Sequence, residues 1–215
     1  MKTPQSSNLD RYFELMAARP EEFRNSGPLT IVTDREQICQ FAERTGKPVG
    51  VVYESAFHLM VVDVVQNGEG ACFTYERILS TNPKDAVVVI PRYQNQYVLL
   101  LQYRHALRDY QYAFPRGFGE GLSALENAHK EVREELRCTA SHFVYLGQVV
   151  ADSGLSGTRV KVYQCEISKP NPQPGYEEIQ KALVCTEQEL HQKIGQGKIN
   201  DGFTLSALCL QGERS

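Results

Sequence analysis

Four glutamates follow three glycines in "PRGFGEGLSALENAHKEVREEL", Pro115 to Leu136. The glycines are Gly117, Gly119 and Gly121, and the acids are Glu126, Glu131, Glu134 and Glu135. On a helix turning about 100° per residue, Glu131, Glu134 and Glu135 share an arc of roughly 100°. Like charges at i,i+3 and i,i+4 cost a few tenths of a kcal/mol per pair. Lys130 and Arg133 relieve part of that cost. A hard divalent cation removes it, because Mg²⁺ and Mn²⁺ prefer carboxylate oxygen and keep open positions for phosphate and water. Glycines upstream let backbone approach a ligand closely. The pattern therefore points to metal-assisted chemistry on a phosphate. The competing reading is a Glu-rich helix face in solvent.

Positioning those acids requires a helix docked on something apolar. Ser123 and Glu126 form a capping box, so the helix begins near Ala124. Leu125, Ala128, Val132 and Leu136 recur at steps of three and four and give it one apolar face for a sheet. The sheet is legible upstream, where "DAVVVIP" and "QYVLLLQY" flank the polar turn "RYQNQ" and read as a hairpin buried on both faces. "GVVYESAFHLMVVDVVQ" and "ACFTYERIL" are rich in β-branched and aromatic residues and read as strands. So do "LTIVT", "FVYLGQVVAD" and the alternating "TRVKVYQCEI". Thr33 with Glu36, and Thr186 with Glu189, are capping boxes for helices through "DREQICQFAERTG" and "EQELHQKIG"; "DGFTLSALCLQ" is a closing helix. The polar N-terminus, with a weak helical segment "LDRYFELMAARPEEF", reads as a surface arm. This order of elements predicts a mixed α/β core with helices packed on a sheet.

The 215 residues suit one ordinary domain with a small N-terminal annex. A net charge of −3 gives no pull toward nucleic acid or an anionic membrane. No apolar run approaches the roughly 18 residues of a membrane span, and the N-terminal "MKTPQSSNLDRYFEL" lacks an apolar signal core. Six scattered cysteines without a C-x-x-C pair fit reduced thiols in a cytoplasmic protein better than a zinc or redox site. His105 and His129 have no ligand spacing.

The stretch from Gly117 resembles the signature of the Nudix hydrolases, G-x5-E-x7-R-E-U-x-E-E-x-G-U with U aliphatic. Gly117 matches the first glycine, Glu131 the Glu of the R-E pair, Val132 the aliphatic position, and Glu134 and Glu135 the E-E pair. The loop is one residue short, Leu122 takes the place of the first Glu, Lys130 replaces the Arg, and Arg137 replaces the late glycine. The resemblance implies that Glu131, Glu134 and Glu135 are metal ligands and water-activating groups. Lys130 would orient a glutamate, and Glu120 would partly stand in for the missing acid. "VLLLQYRHAL", "FPRG", "SGLSGTRVKVYQC" and the segment from Gly175 to Leu210 are similar to the ADP-ribose pyrophosphatase branch. There "FPRG" corresponds to E-x-P-A-G, and the backbone carbonyl of Arg116 would ligate metal.

On that resemblance the fold is a Nudix-like mixed β-sheet sandwiched by helices (α+β), with residues 81–215 as the hydrolase domain. Residues 1–80 are an N-terminal extension and annex, of which 49–79 would exchange across a homodimer. Glu177 or Glu178 would be the acid assisting the attacking water, and Arg104, Arg108 and Gly117 would meet substrate; surface pairing is the alternative for the two arginines. The activity implied is Mg²⁺- or Mn²⁺-dependent hydrolysis of a nucleoside diphosphate derivative, with ADP-ribose giving AMP and ribose 5-phosphate. Rival readings are a nucleotide sugar, NADH or a dNTP as substrate, or a non-catalytic nucleotide-sensing module.

Overall fold

A computed structural model describes residues 4–82, 86–119 and 121–212. The chain forms two compact units, one of residues 1–81 with 152–157 and one of 82–151 with 158–215.

The first unit comprises helix α1 (Pro4–Ala18), strand β1 (Thr30–Ile31), helix α2 (Arg35–Thr45) and strands β2 (Gly50–Glu54), β3 (His58–Gln66) and β4 (Cys72–Ser80). β3 is the hub, pairing antiparallel with β1, β2 and β4. The surface arm expected at the N-terminus is instead an integral helix. Leu9, Tyr12 and Leu15 of α1 are buried in one core with Ile38 and Phe41 of α2 and with Val49, Leu59 and Val61. The solvated face of α1 is polar enough to hide this stripe in the sequence. Its depth also rests on a remote partner: the Tyr12 hydroxyl donates to Asp63 Oδ1 at 2.6 Å, and Arg77 pairs with the same buried carboxylate. Gly50 is required here, because a Cβ on it would sit 2.7 Å from the Asn8 carbonyl oxygen. The cap of α2 also lies one residue later than the spacing suggested, on Asp34, which accepts from the Gln37 N–H at 2.8 Å.

The second unit holds β5 (Val87–Tyr93), β6 (Gln96–Arg104), β7 (Asp109–Ala113), β8 (Arg116–Gly117), α3 (Ala124–Glu135), β9 (Ala140–Val149), β10 (Val160–Ile167), β11 (Ile179–Cys185), α4 (Glu187–Gly195) and α5 (Gly202–Gly212). The sheet runs β11-β6-β5-β10-β9, with β7 on β6 and β8 on β5. The β5–β10 pair is parallel, which makes the sheet mixed. The β5–β6 hairpin closes through Gln94 and Asn95, both in the left-handed region (φ 49° and 62°), the two-residue turn whose twist matches its strands.

Alternation along the hairpin places helices on both faces. Val87, Val89, Val98 and Leu100 pack with Ala124, Ala128, Val132 and Leu136 of the α3 segment. Val88, Ile90, Tyr97 and Leu99 pack with Leu190 of α4 and Ala207 of α5. A strand buried on both faces reads as an unbroken apolar run, which "VVVI" and "YVLLL" are. Each fully buried aliphatic side chain contributes about 1.5–3 kcal/mol. The architecture is α+β, a mixed sheet between helices.

Candidate active site

Helix α3 is started by the expected capping box. Glu126 Oε2 accepts from the Ser123 N–H at 2.9 Å, and Ser123 Oγ accepts from the Glu126 N–H at 3.4 Å. Its apolar stripe runs through Ala124, Ala128, Val132 and Leu136. Leu125, expected in that stripe, is 44% exposed. The small rotation follows from the i,i+4 ladder beginning at Ala124, and it turns the neighbouring row, Asn127, Glu131 and Glu135, into the protein. All three of these side chains are buried.

Glu131 and Glu135 are therefore interior acids, not a solvated face. Gly117 is the floor under Glu131: a Cβ there would lie 2.0 Å from Oε1 and 2.2 Å from Cδ. With Glu131 in place, no side chain larger than hydrogen fits at Gly117. Glu135 accepts a hydrogen bond from the Arg116 backbone N–H, while burial and the nearby charges of Glu131 and Glu177 push its carboxyl up to about 8. Its Oε2 is buried without a hydrogen-bond partner. An orphan carboxylate oxygen beside a second buried carboxylate is a costly arrangement for the protein alone. Glu134 is half-buried, and Lys130 Nζ stands 3.6 Å from its Oε2 and 3.9 Å from Glu131 Oε1. Lys130 thus sits where a positive charge is wanted, as its place beside the glutamates suggests.

Two buried carboxylates close enough to repel, with one buried oxygen that nothing satisfies, offer the oxygen ligands a hard divalent cation prefers. Among the described residues no three His, Cys, Asp or Glu side chains gather as a ligand set.

Arg104, at the end of β6, is half-buried. Burial and the charge of Arg116 pull its guanidinium down, while Asp201, Glu135 and Glu177 act the other way. Arg104 thus belongs to the acid cluster. Arg108 does not: it occupies the exposed β6–β7 turn at φ 58°, with Nη1 3.2 Å from His105 Nδ1. Glu120 lies outside the described residues.

The choice between Glu177 and Glu178 is a matter of direction. Glu177 is exposed and near enough for its charge to act on both Glu135 and Arg104. Glu178 lines a separate groove of about 470 Å³ with Tyr103, Tyr110 and Pro174. Both residues have positive φ, 47° and 59°, a strained backbone for glutamate. Gln102 on β6 holds the turn by donating from Nε2 to the Glu177 carbonyl at 2.7 Å.

Three residues of the site escaped the sequence reading. Gln102 anchors the acidic turn. Asn127 donates to the Phe118 carbonyl at 3.2 Å and ties the glycine loop to α3. Asp201 pairs with the Arg116 side chain at 3.0 Å and caps α5, accepting from the Thr204 N–H at 2.9 Å. The Asp-x-x-Thr spacing was a capping signal that marks this last residue in the sequence.

No family model matches the sequence, and a search of curated proteins finds no match. Among solved structures the chain is similar to a crystal structure of an ADP compounds hydrolase, with a TM-score of 0.69 and 18% identity over 88% of this chain and 95% of that one. At that identity the likeness speaks for the fold alone. The α+β architecture expected from the sequence, a mixed sheet sandwiched by helices, is the one the chain has.

Proposed function

We propose that the chain hydrolyses a nucleoside diphosphate linked to another moiety, ADP-ribose being the best candidate, with Mg²⁺ or Mn²⁺ as cofactor. One observation carries this: Glu131 is buried against the Gly117 backbone and Glu135 against the Arg116 N–H, one Glu135 oxygen is unsatisfied, and the half-buried Arg104 belongs to the same cluster. Solvated helix acids are not built this way. The fold likeness to an ADP compounds hydrolase supports the substrate class.

Glu131, Glu134 and Glu135 would hold the cation, with the Arg116 carbonyl as a further oxygen donor. When bound there, a divalent ion would supply Lewis-acid chemistry and neutralise diphosphate charge. Arg104 orients a phosphoryl oxygen through its guanidinium fork. Glu177, carried on the strained turn, takes the proton of the attacking water. Lys130 keeps Glu134 directed at the site. Water adds at one phosphorus of ADP-ribose and the bridging P–O bond breaks, giving AMP and ribose 5-phosphate.

The test is Mg²⁺-dependent turnover of ADP-ribose, NADH, GDP-mannose, diadenosine polyphosphates and dNTPs, with products identified. Glu134→Gln should lower kcat by about 10²-fold or more with an unchanged melting temperature, as loss of a group acting in the transition state does. Turnover by Glu134→Gln at the parent rate ends the assignment of that helix. Absence of turnover on every compound, with nucleotide still bound, favours the sensing module.

A further inference from the structure

We propose that the groove beside the acidic turn is a base-stacking site, made by Tyr103 and Tyr110, for the adenine end of a nucleotide. The inference deepens the hydrolase reading and rests on it for taking that nucleotide to be the substrate. Spacing along the chain marks neither tyrosine.

The groove measures about 470 Å³, within the roughly 300–1,000 Å³ of small-ligand sites. Its walls come from different elements. Tyr103 on β6 and Tyr110 on β7 stand directly opposite each other in the antiparallel register, their ring centroids 5.5 Å apart and their planes at 69°. Edge-to-face contact fixes the rings against each other, yet Tyr110 is 49% exposed, so ring surface stays open to a ligand. The second wall is the turn before β11. It is closed by the Gly175 N–H donating to the Ile179 carbonyl at 2.8 Å, and Gln102 ties it to β6. Glu178 and Gln180 line the groove from this side. Gln180 is the extra residue of a bulge, since Ile179 and Lys181 oppose the consecutive Gln102 and Leu101. Bulges re-aim side chains beside binding sites. Among the described residues, the Glu178 carboxylate, the Gln180 amide and both tyrosine hydroxyls make no hydrogen bond or ion pair.

Aromatic rings with one carboxylate and one amide select a flat ring that carries an amine. Stacking alone accepts any base. A carboxylate accepts from an amino group, and a glutamine amide pairs with adenine N6 and N7. An oxygen in place of the amine would face the Glu178 carboxylate and be disfavoured. The groove also adjoins the acids through the chain. Glu178 follows Glu177, and Tyr103 lies between Gln102 and Arg104, with consecutive residues about 3.8 Å apart. Alternation turns Tyr103 to the other side of β6 from those two neighbours. The nucleotide therefore bends round the strand end, its diphosphate at the acids and its base in the groove.

Nucleosides probe the groove without metal or phosphate. Adenosine and inosine are titrated in EDTA against the parent, Tyr110→Ala, Tyr110→Phe and Glu178→Gln, with binding followed by ligand-observed NMR. Each variant is first shown to keep the parent's circular dichroism. The parent should bind adenosine about tenfold or more tighter than inosine. Tyr110→Ala should weaken adenosine by about tenfold, as loss of a stacking ring does, while Tyr110→Phe keeps it. Glu178→Gln should bring the two nucleosides together. In Tyr110→Ala the KM for ADP-ribose should rise by more than kcat falls. A parent that binds no adenosine, unchanged affinity in Tyr110→Ala, or equal binding of inosine by the parent overturns the inference. Hydrolysis of ADP-ribose with a KM indifferent to Tyr110 removes it and leaves the hydrolase reading standing. Tyr110-dependent adenosine binding without any hydrolysis keeps the base site and ends the hydrolase reading.

Discussion

Gly117 shows how a single missing side chain defines the site. The Glu131 carboxylate occupies the volume where a Cβ would be, only 2.0 Å away. Gly117→Ala should therefore push Glu131 out of its place while leaving the sheet intact. The expected result is at least a tenfold loss of kcat and of metal affinity at a stability cost of about 1–3 kcal/mol, the range for overpacking. Activity and Mn²⁺ titration of the folded variant check it. Glu135 adds a pH signature. Its folded carboxyl titrates near 8 against the ordinary 4.5, so the metal-free native state holds a proton that the unfolded chain has released. The contribution of Glu135 to stability in EDTA is thus full at acid pH and is lost as pH climbs from 4.5 toward 8, by at most about 5 kcal/mol at roughly 1.4 per unit. Glu135→Gln should flatten that slope in melting curves. A variant with the parent's pH dependence would show that another group is responsible.

At the scale of elements, α3 must keep its rotation, because the same turn that buries Ala128 and Val132 inserts Glu131 and Glu135. Its start is set by Ser123. Ser123→Ala removes the acceptor for the first turn and should cost about 1 kcal/mol, seen as a drop of a few degrees in melting temperature. A shift in metal affinity larger than that in stability would show that the cap also aims the acids. The acidic turn works differently. Two consecutive glutamates in the left-handed region are held by Gln102 from the neighbouring strand. Spacing showed an acidic loop beside prolines. Only the folded turn brings the charge of Glu177 near Glu135 and Arg104 and sets Glu178 at the groove with Tyr103 and Tyr110.

At the scale of the molecule, each unit has its own core. In the first, the buried Tyr12–Asp63–Arg77 network fixes α1 to the β3–β4 pair. The segment 152–157 returns to that unit, with the Ile78 N–H donating to the Leu155 carbonyl at 2.8 Å. No helix among the described residues is long and apolar enough to cross a membrane. Self-association is the property still resting on resemblance. Sedimentation should give twice the 24.3 kDa of one chain, and a single-chain mass at micromolar concentration would refute the dimer.

The sequence by itself determined what local chemistry can write. Capping boxes at Ser123 and Thr186, the doubly buried hairpin and the acid-rich helix after a glycine loop were all legible, because each is set by neighbours within a few positions. The tertiary structure decided what depends on distant partners. It buried α1 by giving Tyr12 a carboxylate 51 residues away. It turned Leu125 out and the glutamate row in, separated Arg104 from Arg108, and brought Asp201 to Arg116 across 85 residues. Burial and charge pairing are properties of the space around a group, and spacing along a chain does not contain them.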